Sequence, residues 1–314
     1  MQMTNQVKGF TAAVVAAVCY GTNPLGALPL YADGIHPASV LFYRYAIALA
    51  IFAVIMVARG ERFSIKLGHA VRFSFLGAVF ATSSISLYLS FRYMEAGVAS
   101  TLLFVYPIMT AVLMTMFFHE RVTWTTTTAI LLAVAGVALL YRGDGAVRLS
   151  TAGFALVMAS SLSYAIYIVS INQWENDMSP LKFTFWVIVF CLLSVVAYSW
   201  LSGDTLQLLQ TPRQWLCVFQ LGLLPTVLSL FFMTIGIQLI GSTPSAIMGA
   251  LEPVTAVVIG VFVFHESFSV RLACGILLIL GGVILIISKN KGKPKENAAA
   301  AAESDGGIFR NGRS

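Results

Sequence analysis

The chain has 314 residues, 58% of them apolar and only 10% charged, with a net charge of +6. That balance lies far from a soluble domain's and argues against a water-soluble enzyme. The apolar residues gather in ten blocks of about 20, the length that crosses a hydrocarbon core of ~30 Å at 1.5 Å per residue.

The blocks run over about 9–31, 37–58, 70–92, 97–118, 123–141, 151–172, 182–201, 215–238, 243–264 and 269–288. They are continuous rather than alternating, which predicts membrane-spanning α-helices and not barrel strands. The connections are short and carry most of the charge, as in "RGERFSIKLGHAVR" and "NQWENDMSP".

Block one has no convincing cleavage site and is read as retained, not as a signal peptide. Its stretch "YGTNPLGALP" holds Tyr20, Gly21, Asn23 and Pro24. Pro24 frees a backbone carbonyl, Gly21 loosens the turn, and Asn23 offers both a donor and an acceptor. Such a break is either the unwound segment where a transporter meets its substrate or a proline-kinked packing helix.

Block two carries Arg44, about seven residues from the outer end of its span, where snorkelling alone would explain it. Block three brings Ser83, Ser84 and Tyr88, and block four brings Tyr106 and Pro107. Block six adds Tyr164 and Tyr167, and block eight adds Gln238. These tyrosines lie inside spans, not at the interfaces, and with Ser83, Ser84 and Gln238 they are candidates to line a substrate site. Each alone is more often a packed residue.

Block nine holds Glu252, ten residues in, followed by Pro253. An ionised carboxylate at that depth is expensive, which leaves three roles: binding a substrate amine, carrying a coupling proton, or pairing permanently with Arg44. The four cysteines, Cys19, Cys191, Cys217 and Cys274, lack metal or redox spacing, and no metal or cofactor is expected. The tail 289–314 loses apolar periodicity and is expected to be disordered and cytoplasmic.

"PIMTAVLMTMFFHE", Pro107 to Glu120, returns 146 residues later as "PVTAVVIGVFVFHE", Pro253 to Glu266. The echo continues from "AGVALL" at Ala135 to "GGVILI" at Gly281, and from Tyr20 to Tyr164 behind matching "GF" pairs. Two halves of five spans each, about 8–142 and 151–288, must enter the membrane from opposite sides, forming one inverted-repeat domain over 1–288 around a central cavity. His119 and His265 then fall at opposite faces, too far apart for one metal, and neither begins an HExxH helix. Both are read as interfacial helix ends. With the N-terminus inside, 13 Lys/Arg lie on the inner side and five outside, so both termini are expected in the cytoplasm. The positive charge suits an anionic inner membrane surface better than nucleic acid.

The paired proline-to-glutamate helices "YPIMTAVLMTMFFHERVTW" and "EPVTAVVIGVFVFHESFSV", with "HPASVLFYRYAIALA" in block two, resemble the drug/metabolite transporter superfamily, specifically the EamA-type ten-helix exporters. Within them the chain looks most like the YddG-type amino-acid exporters. The resemblance covers about residues 8–288. It implies a bacterial inner-membrane location and outward movement of small metabolites, amino acids first, without ATP. The chain agrees on the last point, having no G-x-x-x-x-G-K-[ST] loop. Exporters of other metabolites or drugs in the superfamily are the alternative. A channel would need a polar stripe or charged ring, an intramembrane enzyme a nucleophile with its base or a metal cluster, and a scaffold would not need inverted halves.

Overall fold

The computed structural model describes residues 2–118, 124–141, 150–173, 178–240, 248–249, 251–266 and 268–289. Among them the regular structure is entirely helical. In chain order the helices are α1 (Gln2–Gly21), α2 (Asn23–Ala32), α3 (Pro37–Ala58), α4 (Leu67–Ser90), α5 (Ala96–Leu103), α6 (Tyr106–Phe118) and α7 (Trp124–Tyr141). They continue with α8 (Thr151–Gln173), α9 (Pro180–Leu201), α10 (Pro212–Gly222), a π-helical turn (Leu223–Leu228), α11 (Ser229–Ile240), α12 (Leu251–Phe264) and α13 (Val270–Lys289). Among the described residues, seven stretches are long and apolar enough to cross a membrane, from Asn5–Ala32 to Pro212–Met233, and two apolar helices, Leu251–Phe264 and Val270–Gly282, are shorter.

Large apolar side chains such as Val54, Val57, Trp200 and Leu277 face outward. In water such a surface would drive aggregation, but against lipid it costs nothing, so these helices need no polar face. Among the described residues the interior holds one large cluster, in which Leu30, Leu41, Tyr45, Tyr88, Leu102, Ile188, Leu221 and Ile279 are buried, and a smaller one of Phe73, Leu76 and Val187. Helix starts follow local chemistry. Pro37, Pro180 and Pro212 sit in the first turn, where a missing N–H is harmless, and Thr211 with Gln214 forms a full capping box.

Loops tie distant parts of the chain together. His36 N–H donates to Gln207 Oε1 at 2.6 Å and Gln207 N–H to Ser39 at 3.0 Å, so the 202–211 segment is anchored to the α2–α3 turn. Ser179 donates to Glu61 at 2.6 Å, joining the α3–α4 and α8–α9 connections. Residues His119 and Glu120 and the tail from 290 onward lie outside the described residues.

Candidate functional site

A proline leaves unbonded the carbonyl four residues before it, which in a membrane must be satisfied by protein. Three times here, a polar side chain takes that carbonyl. Pro24 orphans Tyr20 O, and Asn23 Nδ2 donates to it at 2.7 Å. Pro107 orphans Leu103 O, and Ser161 of α8 donates to it at 3.1 Å. Pro225 orphans Leu221 O, and Thr226 donates to it at 3.0 Å. The interruptions at Thr22, at Phe104–Val105 and at the π-helical turn are therefore self-satisfied.

Arg44 binds two of these interruptions together. Its Nε donates to Thr226 Oγ1 at 2.9 Å, and its Nη1 to Asn23 Oδ1 at 2.9 Å and to the Tyr88 hydroxyl at 2.8 Å. Tyr88 in turn donates to Asn23 Oδ1 at 2.9 Å. The guanidinium carbon also lies 5.4 and 5.6 Å from the ring centres of Tyr45 and Tyr88, within cation–π reach. Arg44 is 3% exposed and points inward. Snorkelling, which position alone allowed, is not what it does. With two donors, Arg44 and Tyr88, on Asn23 Oδ1, the orientation of that amide is fixed, and its Nδ2 is turned toward Tyr20.

Beside this cluster lies a small cavity. Tyr20, Gly21 and Asn23 line one wall, Ser100, Leu103, Phe104 and Tyr106 another, and Glu252, Pro253 and Ala256 a third. The first and third walls close tightly: a Cβ on Gly21 would stand 2.5 Å from Thr255 Cβ and 2.7 Å from Glu252 O, so only glycine lets α1 approach α12 there. Aromatic rings extend outward from Tyr106. Its centroid is 4.6 Å from Tyr164, edge-on, and Tyr164 stacks at 5.9 Å on Tyr167.

The candidates from sequence separate into two groups. Tyr20, Gly21, Asn23, Tyr106, Glu252 and Pro253 meet at the cavity. Tyr88 stands behind Asn23, and Tyr164 behind Tyr106. Ser83 pairs with Ser160 at 3.1 Å between α4 and α8, and Ser84 accepts from Tyr45 at 2.6 Å, so both join helices instead of facing the cavity. The side chains of Gln238 and Pro107 lie outside the described residues. Of the three roles open to Glu252, the standing ion pair with Arg44 is not among the contacts of the described residues, where the guanidinium donates to Asn23, Tyr88 and Thr226.

One participant was missed in the sequence. The Glu266 carboxylate accepts from Ala96 N–H at 2.8 Å and Gly97 N–H at 3.0 Å, capping the start of α5. The chain reaches it by turning back at His265, which adopts φ 56°, and Glu266 N–H donates to Gly260 O at 2.9 Å. The repeated His-Glu ending was the signal, but its use as a cap depends on a partner 170 residues away in sequence.

Among proteins of known sequence, an uncharacterized transporter of Archaeoglobus fulgidus is 25% identical over 266 residues, covering 81% of this chain and 89% of its own. The uncharacterized transporter YdfC of Bacillus subtilis is 24% identical, covering 81% of each chain. A solved crystal structure matches the fold with TM-score 0.62 at 17% identity, over 93% of this chain and all of its own. The model of the EamA-like transporter family matches residues 7–142 and 151–288. With apolar helices long enough to span a bilayer and that match over nearly all of its helical part, this chain is a multi-pass membrane protein belonging to the EamA-like transporter family.

Proposed function

We propose that this protein exports small metabolites, amino acids first, across a bacterial inner membrane by alternating access and without ATP. Ten spans form two inverted five-helix halves, about 8–142 and 151–288, in one domain over 1–288, with both termini and the tail 289–314 in the cytoplasm. The match of one family model to each half supports the duplication. The loop contacts support the alternation of sides. His36 with Gln207 and Ala96 with Glu266 join loops that ten spans put on one face, whereas Glu61 with Ser179 joins loops of the other.

The observation that carries the substrate reading is a carboxylate and a buried cation on either side of Asn23 and Tyr20, not bonded to each other. A zwitterion entering the cavity presents its ammonium to Glu252 and its carboxylate to the Asn23 and Tyr20 edge, which Arg44 backs with positive charge. Tyr106 and Phe104 give the side chain an apolar wall. The two halves rock about this point.

The test is uptake of a panel of labelled amino acids, with sugars and nucleosides as controls, into liposomes carrying the purified protein. Saturable uptake competed by unlabelled amino acid is expected. Flux of the controls alone would keep the transporter and discard amino acids, and no flux from folded protein would sink transport itself.

A further inference from the structure

We infer that Glu266 is a gate residue, the side chain that closes one mouth of the central cavity by joining the two halves. The helices it joins are the ones that wall the cavity. Ser100, Leu103 and Phe104 of α5 belong to the first half, and Glu252, Pro253 and Ala256 of α12 to the second. Beyond the cavity the same two helices continue in contact, with Gly97 against Val257. One turn past Ala256 comes Gly260, about 6 Å further along the axis.

At that level the seam is shaped around a carboxylate. A Cβ on Gly260 would collide with Glu266 Oε2, and one on Gly97 would stand 3.0 Å from the same atom. Glycines on both helices thus floor a slot that the Glu266 side chain fills. The two N–H groups that end in the slot are the first of α5, donors that no turn of that helix can satisfy. Filling it requires the chain to double back through His265, in a left-handed backbone conformation that non-glycine residues adopt at a cost. A helix end merely anchored at an interface needs none of this.

Parting α5 from α12 opens the cavity toward this mouth, and it cannot occur without withdrawing Glu266 from both N–H groups. The bond is therefore made in the state closed on this side and broken in the state open on it. Glu95 and His265, the residues just before Ala96 and Glu266 in the chain, are titratable groups beside the slot.

The inference rests on alternating access but not on any particular substrate, and two experiments separate the two. In a variant lacking Cys19, Cys191, Cys217 and Cys274, a cysteine at Ser100 reports access to the cavity wall. It is read as the rate of modification by a membrane-impermeant thiol reagent applied to either side of sealed vesicles. Glu266→Ala is expected to raise that rate about five- to tenfold from one side only. An unchanged rate, or an equal rise from both sides, would overturn the gate. The second experiment restores closure covalently. In Ala96→Cys with Glu266→Cys, oxidation is expected to stop flux of a labelled amino acid and reduction to restore it; flux that continues through the cross-linked protein also overturns the gate. Absence of amino-acid flux before cross-linking counts against the substrate reading alone, since the labelling experiment still decides the gate.

Discussion

Arg44 donates to Asn23 Oδ1 at 2.9 Å, so a cation from α3 holds the first residue after the break in span one. Among the described residues it is the one charged side chain that is fully buried, and all three partners are neutral. A lysine has one nitrogen where arginine has a fork, and it cannot reach Thr226 and the Asn23–Tyr88 pair together. Arg44→Lys is expected to destabilise the protein by about 1–3 kcal/mol. Thermal unfolding in detergent measures this, and an unchanged midpoint would mean the cluster contributes no stability.

Gly21→Ala tests the contact between α1 and α12. The added methyl meets Thr255 and the Glu252 carbonyl, and backbone cannot turn aside as a side chain can. A loss of about 1–3 kcal/mol is expected, as for other overpacked sites. Gly34→Ala is a poor control because φ there is positive, whereas Gly68→Ala, with open space around it, should leave the melting point unchanged.

Glu252→Gln keeps the shape of the cavity wall and removes its charge. Uptake of amino acids should fall at least tenfold, as a charge-assisted bond to the ammonium is lost. If Glu252 also carries a coupling proton, the pH dependence of flux disappears with it. Flux that is reduced but keeps its pH dependence would leave the amine role and remove the proton role.

Glu266 gives a pH prediction with a definite sign. Burial pushes its carboxyl above the ordinary 4.5, the Gly97 and Ala96 N–H groups pull it back in part, and Glu95 pushes it up again. The closed seam therefore holds the proton more tightly than a solvated carboxyl does. This contribution to closure is complete below about pH 4.5 and is lost as pH rises through the raised value. Modification of a cysteine at Ser100 should accelerate with pH beyond what the thiol's own ionisation explains. Glu266→Gln, which cannot titrate, supplies that reference, and identical pH profiles for the two would refute the prediction.

How much of this was legible beforehand differs from residue to residue. The interruption at Thr22 lies where Gly21, Asn23 and Pro24 crowd together, because a proline's missing N–H is written in the sequence. The meeting of Tyr106, Glu252 and Tyr20 followed from depth in the spans. The faces of helices were a different matter. Ser83 and Ser84 are adjacent and turn to different neighbours, Ser160 and Tyr45, and neither reaches the cavity. Helices that are apolar all round have almost no periodicity to say which side looks inward. The partners of Glu266 were hidden for another reason, since a cap spanning 170 residues has no local signature.

The side chains that take the carbonyls orphaned by Pro24, Pro107 and Pro225 bear on the unloaded carrier. Broken helices in a transporter are usually thought of as sockets that the cargo completes. Here Asn23, Ser161 and Thr226 complete them instead, so the empty protein carries no unmet peptide groups at these three points. Under the alternating access proposed above, a return step without cargo would meet no backbone penalty at these three points, which suits net one-way export better than obligatory exchange of one molecule for another.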